Sequence, residues 1–212
     1  MDGINYEIIK NMPIKLHLIL LDIYNEMNSS NSFPDSWKET FIHFIEKPNK
    51  SGMRPIALTS CLCKLFKIMT TNRLLWWTEN RNLLPKSHSG FRKGRSCADN
   101  LTDFTFSVQK AFSNKQHVLA AFLDVHSAFP SVNNDILLSK LAKVGCSQKM
   151  ISFVKFLTYE RLIHIDILQD NHRKVYKGVL QGGPLSAISY MLYVSEITDG
   201  LSKLKFHNLL MT

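Results

Sequence analysis

The sequence predicts an α+β fold in which strands and helices mix around one sheet. Three observations predict it. Thr40 to Ile45, Arg54 to Thr59 and Val118 to Leu123 have the length and composition of strands. Between them, apolar residues recur at three- and four-residue intervals, which is the helical period. No repeat, low-complexity tract or linker divides the 212 residues, and a chain of that length has ample material for a core.

The elements follow in order. Ile4, Ile8 and Ile9 recur at helical spacing. Pro13 restarts a helix, with Leu16, Ile19, Leu20, Ile23 and Met27 on one face. Asn28 to Ser36 is polar and turn-like. The strands at Thr40–Ile45 and Arg54–Thr59 are joined by Lys47-Pro48-Asn49-Lys50-Ser51-Gly52, a turn by composition. A hairpin with a basic tip is expected. Ser60 is placed to cap the next helix. Leu62, Leu65, Phe66, Met69, Leu74 and Leu75 give that helix an apolar face, and Trp76 and Trp77 near its end read as core.

Residues 81–95 form a long basic loop, and Ser96 caps a helix to about Phe112. Val118 to Leu123 is an uninterrupted apolar run, read as a buried strand that stops at Asp124. Helices at roughly 134–144 and 147–158 are divided by Gly145. Ile163–Leu168 and Val175–Val179 suggest paired strands. Pro184 opens a helix to about Ile197, and the chain closes on the apolar run Leu209-Leu210-Met211.

Composition narrows the class. The chain is 45% apolar and 20% charged, with a net charge of +9, so it is globular rather than disordered. The charge is unevenly spread. Residues 37–118 carry 14 basic and 5 acidic side chains, whereas residues 1–36 carry 2 and 5. A basic block of this kind suits phosphate-rich partners, although a solvated basic face would look the same. Cys61, Cys63, Cys97 and Cys146 match no zinc spacing and are expected as buried, reduced thiols. The eight histidines show no metal-ligand spacing either. Neither a signal peptide nor a run of 18 apolar residues is seen, so an intracellular protein with no membrane partner is expected. Lys86 to Arg95 is basic enough to resemble a nuclear signal.

Four motifs stand out. Ala121-Phe122-Leu123-Asp124-Val125-His126-Ser127-Ala128-Phe129 ends an apolar run on a carboxylate, with an aromatic five residues later. A carboxylate there can reach a divalent cation, since Mg²⁺ takes hard oxygen ligands; a turn-capping Asp is the plain alternative. Some 57 residues past Asp124 lies Gly178-Val179-Leu180-Gln181-Gly182-Gly183-Pro184-Leu185-Ser186. Its glycines permit close backbone approach, and a helix N-terminus offers free N–H donors. Upstream lie Arg54-Pro55-Ile56-Ala57-Leu58 and Gly90-Phe91-Arg92-Lys93-Gly94-Arg95-Ser96.

In this order and spacing, the four motifs resemble the reverse transcriptases of non-LTR (LINE-type) retrotransposons. The resemblance covers nearly the whole chain. It implies a right-hand polymerase architecture, with a fingers-like region over 1–117 and a partial palm over 118–212. The implied reaction is RNA-directed DNA synthesis: a primer extended with dNTPs on an RNA template, helped by two Mg²⁺ ions. Asp124 would be the catalytic metal ligand, with the backbone carbonyl of Val125 beside it. Phe129 would pack beneath the incoming sugar and block a 2′-hydroxyl; Pro130 stands where the family usually has Asp. Lys47 and Arg54, seven residues apart, would hold the triphosphate, Arg54 by a bidentate grip. Gln181 and Gly182 would position nucleotide and template. Phe91, Arg92 and Arg95 match a loop that contacts template phosphates.

The family's adjacent aspartate pair has no match here, and the chain stops at Leu209-Leu210-Met211-Thr212, which resembles the strand leading into it. A fragment lacking the third catalytic strand and the thumb, inactive alone, is therefore expected. The alternative is a non-catalytic RNA-binding module of the maturase kind. A basic globular protein with no nucleic-acid role is a third, weaker reading.

Overall fold

The computed structural model describes residues 3–48, 52–165 and 172–197. Two helices open the chain, α1 (Tyr6–Asn11) and α2 (Ile14–Ser30), followed by a 3₁₀ turn at Asp35–Lys38. Strands β1 (Glu39–Glu46) and β2 (Met53–Leu58) pair antiparallel in the register Phe41 opposite Leu58 through Glu46 opposite Met53. The Lys47 N–H donates to the Gly52 carbonyl at 2.9 Å, closing the expected hairpin. Helices α3 (Cys61–Asn80), α4 (Cys97–Ser113), α5 (Asn134–Lys143) and α6 (Gln148–Thr158) come next, then β3 (Arg161–Ile165), β4 (His172–Val175) and α7 (Pro184–Val194).

One sheet runs β2-β1-β3-β4. β1 and β3 are parallel, Glu39 facing Leu162 and Ile42 facing Ile165, so α3 to α6 form the long crossover a parallel pair requires. β3 and β4 are antiparallel. The helix ends follow capping chemistry. The Ser60 hydroxyl accepts from the Cys63 N–H, and Ser96 with Asp99 forms a capping box. Pro184 takes the first position of α7.

The core joins α2, α3, α6 and the 3₁₀ turn through an aromatic cluster. Tyr24 meets Phe66 edge-on at 5.1 Å between ring centroids, Phe66 meets Phe153 at 4.8 Å, and Trp37 meets Phe66 at 5.5 Å. Such contacts add about 0.5–1.5 kcal/mol each beyond burial. Leu137 and Leu141 of α5, with Ile188 and Met191 of α7, extend the core to the other end.

Several expectations need correction. Val118 to Leu123 is not a strand: residues 116–125 are irregular and exposed, with Leu119 at 98% and Leu123 at 89% of full exposure. A strand exists through its ladder, and no described strand pairs with this run; only Phe122 finds a ring partner, Phe104, at 5.9 Å. The buried stripe of α2 is Leu20, Tyr24 and Met27, while Leu16, Ile19 and Ile23 are exposed. Helical period locates a stripe, but the packed partner chooses which one is buried. Trp76 is also exposed, whereas Trp77 packs half-buried against the core as expected and Trp37 is buried in it. Among the cysteines only Cys63 is fully buried; all four are free thiols.

β3 and β4 begin earlier than periodicity suggests. Arg161, buried at the start of β3, donates to the carbonyls of Lys177 and Gly178, so residues 176–179 leave the sheet. α7 ends at Val194, short of Ile197. The 209–211 run lies outside the described residues, as do 166–168.

Candidate nucleotide and nucleic-acid site

The turn at residues 126–131 follows the irregular run. Ser127 takes the left-handed conformation at φ 52°, and the Ser131 N–H closes back on the Ser127 carbonyl at 2.9 Å. This turn is pinned to the 178–179 segment. The Phe129 carbonyl accepts from the Val179 N–H at 3.0 Å, and the Val132 carbonyl accepts from the Gly178 N–H at 2.9 Å. Gly178 has φ +81°, and a Cβ there would meet the Pro130 carbonyl oxygen at 2.7 Å. Only glycine fits both demands.

The next turn is pinned to the hairpin. The Gln181 carbonyl accepts from the Ala57 N–H of β2 at 3.0 Å. A Cβ on Gly182, at φ +96°, would press the Ile56 side chain at 3.3 Å. The segments carrying Phe129, Gln181 and Arg54 are therefore locked together although they are far apart in sequence.

Phe129 is half-buried, its ring 5.3 Å from that of Tyr190 on α7 and tilted by 47°. Tyr190 is buried. Desolvation raises the pKa of its phenol, and the negative charge of nearby Asp124 raises it further. Asp124 is exposed. Lys47 is half-buried at the hairpin end; Arg54 and Met53 are exposed on β2. Val125 is exposed beside Asp124.

The basic loop behaves differently from its sequence reading. Arg92 turns inward. Its Nε and Nη2 donate to the two carboxylate oxygens of Glu79 at 2.7 and 2.6 Å, and its Nη1 donates to the carbonyls of Pro85 and His88 at 3.0 Å. This is the bidentate geometry at which Arg excels, here holding the loop to the end of α3. The pair also keeps the Glu79 carboxyl below its ordinary pKa. His88, beneath this clamp, is fully buried with neither ring nitrogen hydrogen-bonded, and burial together with the Arg92 charge pushes its pKa down to about 4. Phe91 is exposed at φ 56°, and the Arg95 side chain is exposed, donating to the Lys86 carbonyl at 2.5 Å. Arg81, Lys86, Lys93 and Arg95 are exposed, whereas Arg92 is not.

Sequence reading missed Tyr190, Arg161 and the Arg92–Glu79 clamp. A Tyr inside an apolar helix and an Arg at a strand start carry no short motif; only the fold brings them to the site.

The profile of the reverse transcriptase (RNA-dependent DNA polymerase) family matches residues 45–210. The chain belongs to the reverse transcriptase family. This domain is 30% identical over 202 residues to the probable RNA-directed DNA polymerase from transposon BS of Drosophila melanogaster. It is 27% identical over 203 residues to the RNA-directed DNA polymerase from mobile element jockey of the same fly. Each match covers 92% of this chain and 22% of the relative, so the domain spans about a fifth of those proteins. A solved apo telomerase from Candida tropicalis, truncated from its C-terminal domain, shares the fold with a TM-score of 0.54 at 16% identity; the match covers 86% of this chain and 45% of the other.

The α+β fold of polymerase fingers and palm follows from this family and fold likeness. Reverse transcriptases generally use a divalent metal. Among the described residues, however, no group of three or more His, Cys, Asp or Glu is placed to hold an ion. Asp124 with the Val125 carbonyl does not by itself make a two-metal centre. No helix among the described residues is long and apolar enough to cross a membrane.

Proposed function

We propose that this reverse transcriptase domain serves RNA-directed DNA synthesis, binding a dNTP where the turns carrying Phe129 and Gln181 meet the Arg54 hairpin. One observation carries the reading: the hydrogen bonds Val179 to Phe129 and Ala57 to Gln181, each 3.0 Å, tie three motif segments to one place. Residues 1–117 act as fingers and residues from 118 onward as palm. The Phe129 ring, backed by Tyr190, would meet the sugar and reject a 2′-hydroxyl by bulk. Arg54 and Lys47 would take the triphosphate from the hairpin, and Gln181 with Gly182 would orient nucleotide and template. Arg95 and Lys93, both exposed, would meet template phosphates, while Arg92 holds their loop in shape. Asp124 and Val125 would supply oxygens to Mg²⁺, together with further carboxylates that the described residues do not place beside them. The relatives named as RNA-directed DNA polymerases favour this reading over a non-catalytic RNA-binding module.

The test is primer extension on an RNA template by a protein carrying this domain. Asp124→Asn should lower the rate by at least about 100-fold, the scale of removing one group that stabilises transition-state charge. Unchanged extension in that variant would overturn the reading.

A further inference from the structure

Behind the Gln181 turn, a small cavity opens between the end of β2, α3, α6 and the start of α7. Thr59, Lys64, Lys67, Thr158, Ser186 and Ser189 supply its polar walls. Its volume is about 40 Å³, where about 10–15 Å³ admits one water. The space has room for a few waters or a small oxyanion.

Lys67 is the unusual wall. It sits inside a helix at 5% exposure, yet its ammonium reaches only the Thr59 hydroxyl, at 3.4 Å, and the Cys63 thiol. Among the described residues, no carboxylate lines the cavity. The guanidinium of Arg161 is near enough to oppose its charge and is itself buried, held by two carbonyls rather than by an acid. A buried ammonium with neutral partners and a cationic neighbour is costly. Lys64, one turn back on α3, lines the rim, with its ammonium 5.6 Å from the centre of the Tyr6 ring. The first turn of α7 completes the walls: its N-cap is Gly183, with no side-chain acceptor to satisfy the positive helix end.

We propose that this cavity is a phosphate-binding site, with Lys67 as the buried anchor, Lys64 at the mouth and the start of α7 with the Ser186 and Ser189 hydroxyls as donors. The occupant is a free phosphate ion. It would lend the missing negative charge to Lys67 and pin α3 to α7, two helices that also pack against each other directly. The cavity adjoins the proposed nucleotide site, sharing Ala57, Val179 and Gly182 with its locked segments, but its cations are Lys64 and Lys67, and neither Asp124 nor Phe129 nor Arg54 lines it.

The experiment is thermal unfolding of the full chain in sodium phosphate against sodium chloride at matched ionic strength and pH, together with a ³¹P NMR titration. Wild type should gain stability steadily with phosphate concentration, as ligand linkage requires, and should broaden or shift the phosphate line. Lys67→Met keeps the unbranched stem and removes the charge. It should fold as well as wild type in chloride and lose the phosphate-dependent gain, and Lys64→Gln should weaken it several-fold. Should Lys67→Met not fold, Lys64→Gln and the wild-type titration still decide. A wild type indifferent to phosphate, or an equal gain in whichever of these variants fold, would overturn the proposal.

Discussion

Gly178 faces the backbone of Pro130 so closely that a Cβ on the glycine would lie 2.7 Å from the Pro130 carbonyl oxygen. The same glycine has φ +81°, so a side chain is disfavoured twice, by conformation and by space. Gly145 supplies the comparison. Its φ is +79°, but nothing lies within 4 Å of the place a Cβ would take. Gly145→Ala should cost about 1–2 kcal/mol, the left-handed strain alone. Gly178→Ala should cost at least about 1 kcal/mol more, because backbone must also move. Urea unfolding of both variants measures the difference; equal losses would mean that the Phe129 turn does not rest on Gly178.

The Arg92–Glu79 clamp separates structure from nucleic-acid contact. Arg92→Ala removes four hydrogen bonds and a partly buried ion pair, so a loss of about 2–4 kcal/mol is expected. Arg95→Ala should leave stability within about 0.5 kcal/mol and weaken RNA binding instead. Removing one phosphate contact reduces the log–log salt slope by about 0.7 for single strands. Urea midpoints and RNA titrations at several salt concentrations distinguish the two roles. An Arg95→Ala slope identical to that of wild type would remove this residue from the RNA interface.

Acid should loosen the same loop. The buried His88 has its pKa lowered from 6.5 to about 4, so between those values the unfolded chain binds more protons than the folded one. Its contribution is fully present above about pH 6.5 and is lost as pH falls to about 4, on the order of 3 kcal/mol in all. His88→Phe should flatten that part of the stability curve. A wild-type curve already flat from pH 6.5 to 4 would contradict the burial of a neutral imidazole.

Much of the fold was legible because it follows from local chemistry. Ser60, Ser96 and Pro184 announced helix starts, and the Lys47–Gly52 turn announced the hairpin. What failed depended on partners distant in sequence. Val118–Leu123 has a strand's composition but no described neighbour to complete its ladder, and Leu16, Ile19 and Ile23 share a helical stripe that no other described element covers. The candidate site was readable as motifs rather than as geometry. Phe129, Gln181 and Arg54 could be named from their segments, but the locks between them are backbone hydrogen bonds, which side-chain identity does not reveal. Arg92 shows the opposite error: a cation in a basic loop reads as a phosphate contact until its carboxylate partner, 13 residues upstream, is seen.

The most direct test of the account is an amide NMR titration of the chain with a dNTP and Mg²⁺. If the nucleotide lies where the three locked segments meet, shifts should concentrate at Val125 to Phe129, at Gln181 and Gly182, and at Arg54 to Ala57. Phe129→Ala should leave a ribonucleotide and its deoxy counterpart binding alike. Shifts scattered over other surfaces, or confined to one segment while the other two stay silent, would contradict the claim that these motifs form one nucleotide site.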